Sequence, residues 1–235
     1  MDRQLDILAF GAHPDDVELG CGASIAKQVS LGSRVGIVDL TRGELGTRGS
    51  AEIRDEEGAL AAQILGVELR HQMHFKDGFF QNDETHQMEL IKIIREYRPR
   101  IVLANAISDR HPDHKKASEL VSTACFLAGL SKIDTGQDAW RPEVVYHYIQ
   151  FEEIEPDFVV DVSDFIEKKM DAVKAFSSQF YDTNSEEPET IISSQGFLES
   201  VRYRAANLGR LSRTTFAEGF TVEKLVAIDR LDSLK

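Results

Sequence analysis

Two short stretches carry residues able to do chemistry together. The first is Ala12-His13-Pro14-Asp15-Asp16-Val17-Glu18, one imidazole and three carboxylates just after the apolar run Ile7-Leu8-Ala9-Phe10. The second is Asp109-Arg110-His111-Pro112-Asp113-His114, which follows the apolar run Ile101-Val102-Leu103-Ala104. Imidazole and carboxylate packed this tightly suit a borderline divalent cation such as zinc. Pro112 fits the first position of a helix, which puts His111 at the cap and His114 one turn on, both able to face one cavity. Adjacent Asp15 and Asp16 cannot point the same way. A workable division makes His13, Asp16 and His114 the three protein ligands, leaves one position open, and gives Asp15 the task of taking a proton from water. His111 then protonates a leaving group or stabilises developing negative charge, with Asp113 orienting its ring. Water attack on an amide or ester is the chemistry such a site supports.

Each stretch also has a plainer reading. Asp15 and Asp16 could be helix-capping residues, and His111 to His114 a polar turn. Both accidents following apolar strands in one chain is the less economical account, and this favours the metal reading. Glu18 stays open between supporting His13 and lying exposed in a first helical turn. His71, His74, His86 and His147 fall outside both clusters and read as ordinary histidines. The dinucleotide fingerprint, the phosphate-cradling P-loop and the Gly-x-Ser-x-Gly elbow are all absent from the sequence.

The elements that must position these residues alternate. Leu5 to Ala12 reads as a strand, Val17 to Leu31 as a helix closed by Gly32, and Arg34 to Leu40 as a second strand. A glycine-rich loop, Thr41 to Ser50, precedes a helix over Ala51 to Leu65 that ends at Gly66, with a further strand over Glu68 to Phe75. Glu84 to Tyr97 is an amphipathic helix, Arg100 to Asn105 a strand, and Pro112 to Leu127 the helix after it. This alternation predicts an α/β chain with a mostly parallel, doubly wound sheet and ligands at the strand ends. Beyond residue 130 the pattern changes. Strands over Val144 to Phe151 and Phe158 to Val162, a helix over Asp164 to Phe176, a polar loop Asp182 to Thr190, a helix over Gln195 to Leu208, and a loop or strand Thr214 to Phe220 make a C-terminal elaboration. One domain over 1–235 is expected, with a core over 1–130 and the elaboration over 131–235.

The formal net charge of −13 argues against nucleic acid or an anionic membrane as partner. It also requires local arginines if a substrate is anionic. No window approaches the apolar length of a membrane span, and Met1-Asp2-Arg3-Gln4-Leu5 lacks the basic start and apolar core of a signal peptide. Cys21 and Cys125, the only cysteines, lie in apolar helical patterns and read as buried thiols, so a cytoplasmic location is expected.

At the two clusters the chain resembles the LmbE-like (PIG-L) family of zinc-dependent N-acetylglucosamine deacetylases. The family's (P/A)HPDD(V/A)E signature corresponds to Ala12 through Glu18, and its His-x-Asp-His signature to His111 through His114. The resemblance implies a Rossmann-like fold and hydrolysis of an N-acetyl group from a glucosaminyl conjugate, releasing acetate. It puts His13, Asp16 and His114 on zinc, with iron(II) an alternative, Asp15 as base and His111 as its electrostatic or acid partner. The stretch Asp39 to Ser50 with Ile53 to Glu57 resembles the branch acting on N-acetylglucosaminyl malate in bacillithiol biosynthesis. That likeness makes Arg54, and Arg110 beside His111, contacts to the malate carboxylates. Rival readings are a bacillithiol-conjugate amidase, a deacetylase of another N-acetylated sugar, and a metal-dependent sugar-binding module without turnover. The resemblance also implies a homo-oligomer, commonly a hexamer. Some relatives use a tyrosine at the oxyanion, and where it would fall, after Gly196, this chain has Phe197.

Overall fold

Alternation along each strand decides which helices cover which face of the sheet. In β1 (Ile7–Gly11), Ile7 and Ala9 point into one apolar cluster with α1 (Asp16–Ser30), α2 (Ala51–Leu65), α5 (Ile166–Lys174) and α6 (Gln195–Ser212). Leu8 and Phe10 point the other way, into a cluster with α3 (Glu84–Tyr97) and α4 (Pro112–Ala128). Burial on both faces is why β1 reads as an unbroken apolar run. The computed structural model describes residues 3–183 and 185–230, so Met1, Asp2 and Asn184 of the stretches read above lie outside it.

The sheet has seven strands in the order β3 (Leu69–Gln72), β2 (Val35–Asp39), β1, β4 (Ile101–Ala104), β5 (Val144–Tyr148), β7 (Ala217–Val222), β6 (Phe158–Asp161). From β3 to β5 all neighbours are parallel, whereas β7 runs antiparallel to both β5 and β6. This is the mostly parallel α/β architecture the alternation predicts. The chain leaves β1 toward β2 on one side, and β4 returns to pair with β1 on the other, Ile7 opposite Ile101. The strand order therefore reverses between β1 and β4, and a crevice opens at their carboxyl ends. The two His/Asp stretches leave those two ends side by side.

One helix departs from expectation. α1 is broken at Cys21, whose φ of −140° and ψ of 19° are not helical. The N–H groups of Ala23 and Ser24 donate instead to the carboxylate of Glu218 on β7, at 3.2 and 2.7 Å. Lys169 of α5 neutralises that buried carboxylate at 2.5 Å. Glu218 thus caps the second half of α1 from the far end of the chain. Cys21 and Cys125 are buried free thiols in different apolar clusters. Among the described residues no helix is long and apolar enough to cross a membrane.

Replacing Glu218 with alanine leaves Lys169 buried without a counter-charge and two N–H groups uncapped. The expected loss of stability is roughly 3–5 kcal/mol, the cost of stranding one member of a buried pair. Urea denaturation of Glu218→Ala beside an exposed control, Glu199→Ala, measures it, and equal midpoints would count against the capping role.

Candidate active site

The turn after β1 is shaped to point side chains into the crevice. Gly11 is closely enclosed, since a Cβ there would lie 3.0 Å from the His13 carbonyl oxygen and 3.3 Å from Asp16 Cβ. The His13 N–H donates to Asp16 Oδ2 and the Ala12 N–H to Asn105 Oδ1, both at 2.9 Å, which ties the turn to α1 and to the end of β4. Asp15 stands at the N-cap position but makes no side-chain cap, with φ at 111° and ψ at −23°. Such a left-handed backbone costs a non-glycine residue about 1–3 kcal/mol and has to be held from outside. Arg54 of α2 holds it. Its guanidinium donates to the Asp15 carboxylate at 3.0 Å, to the Pro14 carbonyl, and to the Gly43 carbonyl at 3.4 Å. Gly43 leaves room for this, since a Cβ there would collide with the guanidinium.

Asp16 is where the two stretches meet. Its Oδ1 accepts from Gln150 Nε2 at 2.7 Å and lies 3.1 Å from His114 Nε2. Its Oδ2 also accepts from Asn105 Nδ2 at 3.1 Å and lies 3.5 Å from His13 Nδ1. The far nitrogen of each imidazole is engaged by another carboxylate, His13 Nε2 by Asp77 at 3.2 Å and His114 Nδ1 by Asp109 at 2.8 Å. His111 completes the wall, edge-on to His13 at 4.6 Å between ring centroids and stacked on His114 at 5.2 Å. One ring nitrogen from each of the three histidines lies within 4.8 Å of the others. Imidazole nitrogens converging on a carboxylate, with their outer nitrogens already held by acids, fit a divalent cation. His13, Asp16 and His114 are the residues that would hold it.

The charges are interlocked. Burial opposes a charged His13, yet Asp113, Asp16 and Asp77 hold its pKa well above the usual imidazole value. Burial likewise opposes a charged His114, but Asp16 and Asp109 raise its pKa to about 9. The same contacts outweigh desolvation at Asp16 and hold its carboxyl well below the usual range. Burial pushes Asp15 up to about 7 against the pull of Arg54. Burial, together with His13 and His114, lowers His111 to about 4. The Asp113 N–H donates to His111 Nδ1 at 3.3 Å, and this bond assigns the proton of a neutral His111 to Nε2.

The structure brings His13, Asp15, Asp16, His111 and His114 to one open cleft of about 560 Å³. Three details differ from the sequence reading. The Asp113 carboxylate does not touch His111. It accepts from the Gly78 N–H at 2.8 Å and Lys116 Nζ at 3.0 Å, and lies 3.5 Å from His13 Nε2. Arg54 lines the cleft but is bound to Asp15 and two backbone carbonyls rather than held free for a ligand. Glu18 is fully buried and neither supports His13 nor lies exposed; it pairs with Arg70 at 2.6 Å, which also grips Asp39. Arg110 is exposed with its guanidinium 4.8 Å above the Phe151 ring. Phe197 lines the cleft, stacked on Phe180 and Phe151, and among the described residues no tyrosine does.

Four contributors went unread in the sequence. Asn105 and Gln150 lie just beyond β4 and β5, and a polar residue there is itself a site signal in an open α/β sheet. Asp109 stood inside the second stretch without a role. Asp77 sits in the turn Lys76-Asp77-Gly78, where nothing local marks it.

Two imidazoles and an acid converge at a switch point with a second acid beside them, a group that could hold a divalent cation. Residues 8–125 match the PIG-L family, described as GlcNAc-PI de-N-acetylase. The chain is 31% identical over 91% of its length to diacetylchitobiose deacetylase of Thermococcus kodakarensis, covering 81% of that protein. It is 26% identical over 77% of its length to a probable N-acetyl-alpha-D-glucosaminyl L-malate deacetylase 2 of Bacillus anthracis, covering 84% of it. Among solved structures, the conserved protein TT1542 from Thermus thermophilus superposes with a TM-score of 0.87 at 34% identity, over 96% of this chain and 98% of the other. The chain belongs to the PIG-L family and is an amidohydrolase that removes N-acetyl groups.

In the metal-free protein, raised pKa values keep His13 and His114 protonated at pH 7, and a ligating imidazole must be neutral. Cation binding at pH 7 is therefore expected to release roughly one to two protons, with apparent affinity rising with pH up to about 9. Calorimetric titration of chelator-treated protein in buffers of different ionisation enthalpy counts them. Affinity independent of pH between 6 and 9 would contradict the charge state described.

Proposed function

We propose that this enzyme removes acetate from an N-acetylglucosaminyl conjugate with an anionic aglycone, N-acetyl-alpha-D-glucosaminyl L-malate in bacillithiol biosynthesis being the preferred substrate. The observation that carries the reaction is the convergence of His13, Asp16 and His114 beside Asp15 and His111 in one cleft. Zinc is the proposed metal, and iron(II) fits the same nitrogen and oxygen donors. When bound, the cation supplies Lewis-acid polarisation of the acetyl carbonyl and activation of water.

The residues of the chain do the rest. Asp15, buried and fixed by Arg54, accepts the proton from the attacking water. His111, neutral and carrying its proton on Nε2, donates a hydrogen bond to the developing oxyanion. Asp77, Asp109 and Asp113 set the orientation of His13 and His114, so the role of Asp113 falls on His13 rather than on His111. Arg54 acts on Asp15 rather than on substrate, and Arg110, whose guanidinium forms no ion pair among the described residues, is left as a contact for an anionic aglycone.

The malate reading is supported by the Bacillus anthracis relative and by cationic side chains in the cleft of a protein with net charge −13. A second reading, diacetylchitobiose, is favoured by the higher identity to the Thermococcus relative. The buried free thiols support a cytoplasmic setting.

Acetate release from N-acetylglucosaminyl malate, diacetylchitobiose and a mercapturic-type conjugate decides between the substrates. A kcat/KM for diacetylchitobiose equal to or above that for the malate conjugate would remove the malate reading. Asp15→Asn should retain metal while losing activity by ~100-fold or more. Near-normal turnover by this variant would remove Asp15 as base. Arg54→Met withdraws the cation that favours the Asp15 carboxylate, so the acid limb of kcat/KM should move to higher pH by about one unit on every substrate. An unshifted limb, with loss confined to the malate conjugate, would return Arg54 to the role of substrate contact.

A further inference from the structure

α6 sends into the catalytic cleft a guanidinium that none of the chemistry above uses. Arg204 lines the same cleft as His111 and Arg110 and is partly buried. Among the described residues it forms no hydrogen bond and no ion pair, while desolvation holds its pKa below that of an ordinary arginine. The two carboxylates that act on it at longer range, Asp109 and Glu218, are committed elsewhere. Asp109 holds His114 Nδ1 at 2.8 Å and accepts from the backbone of Arg110 and Glu152; Glu218 is taken by Lys169 and the N–H groups of α1.

The other cleft arginines differ from it. Arg54 is tied to Asp15 and two carbonyls, Arg48 donates to Ser185 Oγ, and Arg110 lies over Phe151 in solvent. A guanidinium offers five donors in a planar fork and is never deprotonated, so withdrawing it from water without an acceptor is unfavourable. An arrangement of this kind is balanced when an anion enters the cleft, and a carboxylate matches the fork bidentately. Phe151 and Phe197 give the same cleft an apolar wall.

We propose that Arg204 is the residue that selects substrate by binding a carboxylate of the aglycone. This rests on the reading of the enzyme as a deacetylase of anionic conjugates. The pairing also explains how a chain of net charge −13 accepts such a substrate. It further places the aglycone toward α6, with the acetamido group toward Asp15 and His111.

The test compares wild type, Arg204→Gln and Arg204→Lys by kcat/KM on N-acetylglucosaminyl malate and on a neutral methyl N-acetylglucosaminide. L-Malate is also measured as an inhibitor of the neutral reaction. The ratio of malate conjugate to neutral glycoside should fall by ~10- to 100-fold in Arg204→Gln, the range of a charge-assisted hydrogen bond, and recover in part in Arg204→Lys. The inhibition constant for L-malate should rise at least about tenfold in Arg204→Gln. A wild type that prefers the malate conjugate, with an unchanged ratio in Arg204→Gln, overturns the role of Arg204 and leaves the substrate reading standing. A wild type indifferent to the malate group overturns the substrate reading, and the inhibition constant then decides alone. Should it be the same in wild type and Arg204→Gln, Arg204 binds no carboxylate. Should Arg204→Gln not fold, Arg204→Lys with both ratio and inhibition constant unchanged has the same force.

Discussion

The carboxylate of Asp16 gathers donors from three neighbouring strand ends, and the rest of the site is arranged around it. It follows β1, accepts from Asn105 at the end of β4 and from Gln150 beyond β5, and faces both His13 and His114. A parallel sheet makes this possible, because its strands all deliver their carboxyl ends to one edge. The reversal of strand order between β1 and β4 makes it a crevice rather than a flat rim. His13, Asp16 and His114 thus sit in the turns and first helical residues that leave two adjacent strand ends.

The second constraint is backbone strain beside the ligands. Asp15 sits in a conformation few non-glycine residues adopt, and Arg54 fixes it there by binding side chain and backbone together. The strain separates the two adjacent acids. Asp16 turns toward the imidazoles while Asp15 is turned away to meet Arg54. Orientation thus distinguishes two chemically identical side chains, with the imidazoles beside Asp16 setting their charge states apart.

Much of this was legible in the sequence, and the reasons divide by range. α2 and α3 begin and end where local signals put them, since Ser50, Asp83 and Gly66 cap them with their own atoms. The pairing of the two His/Asp stretches followed from their positions after apolar runs, because strand alternation and crossover handedness leave few topologies. What escaped depends on partners far away in sequence. β3 is shorter than the strand expected over Glu68 to Phe75, although Met73 and Phe75 still bond to the backbone of Asp39 and Leu40. The contacts of Asp113, and the bond of Arg54 to Asp15, went unread because a carboxylate or guanidinium binds whatever lies across from it, and the spacing of neighbours does not report that. The break in α1 falls at Cys21 between Gly20 and Gly22, a weak local sign, while the group that caps it, Glu218, lies far away in sequence.

That cap has an implication for how the molecule is made. Ala23 and Ser24 lie just beyond the turn that carries His13, Asp15 and Asp16, and their N–H groups are satisfied by a residue 194 to 195 positions downstream. A nascent chain holds both His/Asp stretches well before the segment around Glu218 has been synthesised. Until that segment arrives, α1 lacks the contact that terminates its first half, and closing so long a loop is entropically slow. The stretch of α1 that follows His13, Asp15 and Asp16 is therefore completed only once β7 has docked.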